Sequence, residues 1–161
     1  MVKIAVFAVG RMKAGPEKAL AERYFDRLSK IGPPVGLDFA GLVEIAESRA
    51  GTARERRREE ATRLQGRLAP ATALIILDER GRNLSSEAFA DVLGDLRDTG
   101  RREILFAIGG PDGHDGSLSA AAELSLSFGA QTWPHQLVRV MLGEQLYRAV
   151  TILAGHPYHR A

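Results

Sequence analysis

Short apolar runs alternate with segments of helical spacing along most of this chain, and this alternation restricts the fold more than any other feature. The runs "KIAVFAV" near the start, "VGLDFAGLVEI" at 35–45, "ALIILD" at 73–78 and "EILFAIGG" at 103–110 are rich in branched residues and end in glycine or polar residues, as strands do. Between them lie "PEKALAERYFDRL", "TARERRREEATRLQGRL" and "SSEAFADVLGDLRD", each spaced as a helix. Pro16 suits a first helical position, and Ser85 or Ser86 followed by Glu87 suits a helix start. Parallel strands need crossover helices between them, so the order predicts an α/β fold with a largely parallel sheet covered on both faces. With 161 residues and 45% hydrophobic content, the chain supports one compact domain spanning residues 1–161.

The last third departs from this pattern. "QLVRVMLGEQLYRAVTILAG" is apolar around much more than one helix face, from Leu137 and Val138 through Leu146 to Leu153. A helix of that kind is buried on more than one side, and in one small domain its second face is expected to meet another subunit, most simply in a homodimer.

Several classes of protein are excluded. There are no cysteines, so disulfides, thiol nucleophiles and sulfur-ligated metals are absent, which fits a reducing cytoplasm. "MVKIAVFAVGRMK" is closed by Arg11 and reads as a first strand rather than a signal peptide. The run "ATALIIL" falls well short of the roughly 20 residues that span a bilayer, so no membrane segment is expected. The formal net charge is only +2, but 18 of the 22 basic residues are arginine, whose planar fork binds phosphate in a bidentate manner. On composition alone a biased genome is the favoured explanation of that arginine content. In the "RERRREE" helix, paired charges on a solvated face compete with a phosphate-binding surface built from Arg54, Arg56, Arg57 and Arg58.

In an open parallel sheet, ligands sit beyond the carboxyl ends of the strands. "LDERG" follows the third strand and the glycine-rich "IGGPDGHDG" follows the fourth. "FGAQTWPHQ" joins the short run "ELSLSF" to the last helix, with Pro134 placed at the helix start and Trp133 able to stack on a planar ring. No GxxxxGK[ST] or GxGxxG pattern is present, so these loops answer to backbone hydrogen bonding rather than to phosphate binding. His156 and His159 are three apart but lack further ligands with suitable spacing, so no metal is expected. Glu144 and Arg148 can pair at i,i+4, either as an interface ion pair or within an active site.

Taken together, "LDERG" (77–81), "FAIGGPDG" (106–113), "TWPHQLVRV" (132–140), "EQLYRA" (144–149) and "PYHR" (157–160) closely resemble the ribosomal RNA large subunit methyltransferase H family. The resemblance covers the C-terminal half in detail and the N-terminal half through length and element order. It implies a SPOUT methyltransferase fold with a C-terminal trefoil knot, which chain physics alone does not suggest because true knots are rare. It further implies methyl transfer from S-adenosylmethionine to N3 of a pseudouridine in 23S rRNA, by a cytoplasmic homodimer acting on the ribosome.

The resemblance carries the cofactor contacts onto Leu77, Gly110, Phe128, Gly129, Ala130, Gln131, Thr132 and Trp133. His159, Tyr158, Glu144, His135 and Arg148 become the catalytic candidates, because the imide proton on N3 must leave during the reaction. Arg139 and Arg160 become RNA contacts. The "PYHR" tail of one subunit is expected to close over a pocket formed mainly by its partner's loops. A SPOUT enzyme acting on another rRNA or tRNA base, or a non-enzymatic RNA-binding α/β protein, are the competing readings.

Overall fold

The computed structural model describes residues 1–160. Its strands are β1 (Val2–Val9), β2 (Leu37–Ile45), β3 (Thr72–Asn83), β4 (Glu103–Ile108) and β5 (Leu124–Ser127). They form one sheet in the order β2-β1-β4-β3-β5, and every pairing is parallel. The helices are α1 (Pro16–Ile31), α2 (Ala53–Gln65), α3 (Ser86–Asp98), α4 (Gly116–Ala121) and α5 (His135–Ala154), with a 3-10 turn at Pro33–Val35. The α/β fold with a parallel sheet expected from the alternation is the observed one.

Side chains alternate across β1 and divide the interior into two layers. Ile4, Val6 and Ala8 join Phe25, Leu28, Phe89, Leu93, Leu142 and Leu146, so α1, α3 and α5 cover one face. Ala5, Phe7 and Val9 join Ala61, Leu64 and Leu118, so α2 and α4 cover the other. Coverage on both faces explains why the central strands read as continuous apolar runs.

Helix starts follow local chemistry. The Ser85 hydroxyl accepts from Ala88 N at the head of α3, and Thr52 does the same for Glu55 N at the head of α2. Pro134 is the capping residue of α5 rather than its first helical residue. α4 spans only six residues, too short for its periodicity to register in the sequence.

"LDERG" differs from expectation. β3 does not end before it but continues to Asn83 through an irregularity, with Leu77 and Arg82 both set against Leu126 of β5. Gly81 makes this possible, because a Cβ there would lie 2.5 Å from Ser125 O. The chain leaving β5 is thereby held tightly against the β3 excursion, and this places the 128–133 loop at the carboxyl ends of the strands.

Much of the apolar character of α5 is used within its own chain. The helix packs against both α1 and α3, with Leu142, Leu146, Ala149 and Val150 fully covered. Gly143 lets α1 approach closely, since a Cβ there would lie 3.3 Å from Tyr24 Cβ. Leu20 and Leu137 are left exposed.

Candidate functional site

A cleft of about 610 Å³ opens beyond the carboxyl ends of β3, β4 and β5. Leu77, Gly110, Phe128, Gly129, Gln131, Thr132 and Trp133 line it, so the strand-end loops singled out in the sequence converge on one space. Ala130 does not line it; His135, at the first turn of α5, does. Asp78, Glu79, Ile108, Asp112, His114 and Val138 were not named as site residues from the sequence, although all six lie within the motifs quoted there.

Side chains hold these loops in place. The Thr132 hydroxyl donates to Glu79 Oε2 at 2.9 Å, and Ser127 Oγ accepts from Gly129 N at 3.0 Å. Ser127 Oγ also lies within hydrogen-bonding distance of Glu79 O and Gly129 O. Gly129 has φ +123°, a conformation open to glycine and strained for any other residue. On the opposite rim, Arg56 Nε donates to Asp112 Oδ2 at 2.7 Å. His114 Nε2 lies 3.2 Å from Ala107 O, and burial pushes this ring below the usual histidine range. The Arg80 side chain holds the Asp78 carboxyl below its ordinary range, and Arg56 does the same for Asp112. The rim is therefore furnished with ionised carboxylates at neutral pH.

The remaining catalytic candidates gather elsewhere. Glu144 Oε1 accepts from Arg148 Nε at 2.8 Å and from the Tyr158 hydroxyl at 3.2 Å. His159 lies between Arg148, 3.1 Å from Nδ1, and Glu87, 2.8 Å from Nε2. With Arg148 donating to Nδ1, the ring proton of a neutral His159 belongs on Nε2, where Glu87 accepts it. Burial and the neighbouring Glu144 carboxylate push the Tyr158 phenol up to about 12, so it serves as a donor rather than a base. None of Glu144, Arg148, Tyr158 and His159 lines the cleft of its own chain. Glu144 instead borders a second cavity of about 410 Å³, walled by Leu20, Tyr24, Phe89 and Met141, which shares Leu126 and Phe128 with the cleft.

Arg139, expected as an RNA contact, is buried in its own chain. Its Nη1 donates to Glu44 Oε2 at 2.6 Å, and Glu44 also accepts from Met12 N at 2.9 Å. A guanidinium with 9% of its side chain exposed and a carboxylate in contact is a brace between α5 and the end of β2, and Glu44 carries it on to Met12 in the β1–α1 connection. Arg160 is exposed. Of the paired histidines, His156 Nδ1 accepts from Tyr158 N while His159 is engaged as above. No group of three or more His, Asp or Glu that could hold a metal occurs among the described residues.

A family model described as "Predicted SPOUT methyltransferase" matches residues 2–159. A protein named "Ribosomal RNA large subunit methyltransferase H" from Mesorhizobium japonicum is 66% identical over 160 residues, covering 99% of this chain and all of that protein. The chain belongs to the ribosomal RNA large subunit methyltransferase H family. Proteins of the same name from Brucella anthropi and Rhizobium meliloti are each 61% identical, with the same coverage of both chains. In this methyltransferase H chain, the C-terminal motifs that carried the resemblance lie in two places: the strand-end cleft and the cluster at the end of α5. Among the described residues, no helix is long and apolar enough to cross a membrane.

Proposed function

We propose that this chain transfers a methyl group from S-adenosylmethionine to N3 of a pseudouridine in 23S rRNA, acting on the ribosome in the cytoplasm as a homodimer of single-domain subunits. The observation that carries this reading is the convergence of the β3, β4 and β5 loops on one cleft, in a chain whose relatives are named as large subunit rRNA methyltransferases. A C-terminal trefoil knot belongs to this reading through the family resemblance.

The residues of the cleft suit S-adenosylmethionine. Leu77, Ile108, Leu126 and Val138 supply apolar walls for an adenine ring, and Gly110 and Gly129 bring backbone groups close. Glu79 supplies a carboxylate with no arginine partner among the described residues, and the Asp78–Arg80 and Asp112–Arg56 pairs with Arg57 supply both signs of charge, for a ligand that bears a sulfonium, an ammonium and a carboxylate and has no phosphate. When bound, the cofactor supplies an activated methyl group, so alignment is the main catalytic task left to the protein.

The pseudouridine must lose its N3 proton, and the groups suited to accept or guide it are distributed over both sites. His135 is in the cleft. His159, Tyr158, Glu144 and Arg148 form a preassembled cluster outside it, which supports delivery of the tail to the cleft of a second subunit. Within that cluster Glu144 is held by Arg148 and Tyr158, leaving His159 the better proton acceptor through Nδ1 once a substrate displaces Arg148 from it. Arg160 and the half-buried Arg57 at the cleft rim remain for RNA phosphates.

Mass spectrometry of 23S rRNA from a strain lacking the gene tests the reading directly. Loss of one methyl group from a pseudouridine, restored by the intact gene, is the expected result. An unchanged modification profile overturns it.

A further inference from the structure

α2 carries two side chains one turn apart that each reach the same two segments. Arg56 Nη1 donates to Ala50 O at 3.0 Å, while its Nε and Nη2 hold the Asp112 carboxylate at 2.7 and 3.3 Å. Glu60 Oε2 accepts from Ser48 N at 2.9 Å. Its other oxygen, Oε1, is buried and has no hydrogen-bond partner among the described residues. That oxygen lies against Gly110, where a Cβ would sit 3.5 Å from it and 3.0 Å from Val9 Cγ1. Both residues thus connect the 48–50 segment, just ahead of α2, to the Gly109–Gly113 loop, Arg56 by an ion pair and Glu60 by packing.

A glutamate only 6% exposed on a helix otherwise rich in solvated charge needs an explanation. Stability does not provide one, because an unpartnered buried carboxyl oxygen disfavours the folded state. Burial pushes this carboxyl above the usual glutamate range, and the nearby Asp112 and Glu47 add to the effect. Ser48 N and Arg56 oppose it. The small space beside it, lined by Val9, Arg57, Gly113, His114 and Asp115, leaves no path for a substrate. Glu60 therefore does not touch reacting atoms, and its one route to the chemistry is through Gly110.

We propose that Glu60, together with Arg56, is a positioning residue of the methyl-donor cleft, holding the Gly109–Gly113 loop in the shape that receives the cofactor. The pair meets the loop at two points, Asp112 and Gly110. A Cβ on Gly110 would be crowded by Val9 Cγ1 at 3.0 Å and would meet the Glu60 carboxyl at ordinary contact distance, 3.5 Å, so Glu60 backs the loop without a gap. The bond from Ser48 N fixes the Glu60 carboxylate, and with it the surface on which Gly110 rests. This inference rests on the methyltransferase reading for the identity of the ligand, but not for the state of the loop.

Two readouts test it on the full-length protein. The first is hydrogen exchange of the Gly109, Gly110, Asp112 and Gly113 amides without cofactor; the second is S-adenosylmethionine affinity by calorimetry. Glu60→Leu should speed exchange at these amides and weaken binding at least tenfold, while Glu60→Gln, which keeps the shape and the bond to Ser48 N, should stay within about threefold of wild type. Arg56→Gln, altered at a solvent-accessible site, should shift both readouts in the same direction and decides the matter if Glu60→Leu does not fold. Unchanged loop exchange in folded Glu60→Leu, or in Arg56→Gln, overturns the proposal. A wild-type protein that binds no S-adenosylmethionine overturns the methyltransferase reading instead, and the exchange comparison still decides the role of Glu60.

Discussion

Arginine performs several distinct tasks in this chain, and its environment decides which. Arg56 ties a loop, Arg139 braces the base of α5, Arg148 holds the tail, and Arg160 is exposed. For Arg139 the consequence is measurable. Burial alone would raise the Glu44 carboxyl, but the Met12 N–H and Arg139 outweigh it and leave the group below its ordinary value. A lowered folded value means the stabilisation is complete above the unfolded value and is lost as pH falls through the folded one. Arg139→Leu should therefore destabilise the fold by about 3 kcal/mol at neutral pH, near the low end for a buried pair because Glu44 is a quarter exposed. The deficit should shrink in acid as Glu44 is protonated. Urea unfolding at two pH values checks both statements, and an equal deficit at each would place the loss in packing rather than in the ion pair.

At the level of elements, β1 and α1 to α3 were legible because their periodicity is local, and α4 was not because six residues carry too little of it. The course of β3 beyond Leu77 was also hidden, since nothing within "LDERG" announces that Gly81 will meet Ser125 of another strand. α5 shows the same limit. Its broad apolar surface signalled burial on several sides, and α1, α3 and the sheet account for most of it. Gly143, inconspicuous in the sequence, sets the separation between α1 and α5. Gly143→Val should force these helices apart and cost about 2 kcal/mol, read as a lowered denaturation midpoint. An unchanged midpoint would mean that Tyr24 and Phe25 have room to move aside.

For the whole molecule, the informative feature is the separation of the cleft from the His159 cluster. In the proposed reaction the cleft holds the cofactor and His135, and the other proton-handling candidates belong to the cluster. Removing residues 156–161 deletes Tyr158, His159 and Arg160 but leaves the cleft walls untouched. Such a truncated protein should bind S-adenosylmethionine within a few-fold of wild type by calorimetry and lose methyl transfer to ribosomes by at least a hundredfold. Full turnover would remove the tail from the mechanism. Mixing it with full-length subunits disabled by Gly129→Trp tells where the tail acts. Recovered activity places it in the partner's cleft, and no recovery places it in its own.

The amino-acid sequence by itself determined the strand and helix content, the parallel α/β arrangement, the strand-end position of the ligand loops and, through its C-terminal motifs, the family. These depend on spacing within a few residues or on short contiguous signatures. Only the tertiary structure decided that Arg139 points inward to Glu44, 95 positions away, that the tail histidine meets Glu87, and that Glu60 lies beneath Gly110. The physical reason is that a side chain's partner is set by which strands are neighbours and which helix covers them. A charged residue reads the same in sequence whether it meets solvent, an RNA phosphate or a buried carboxylate.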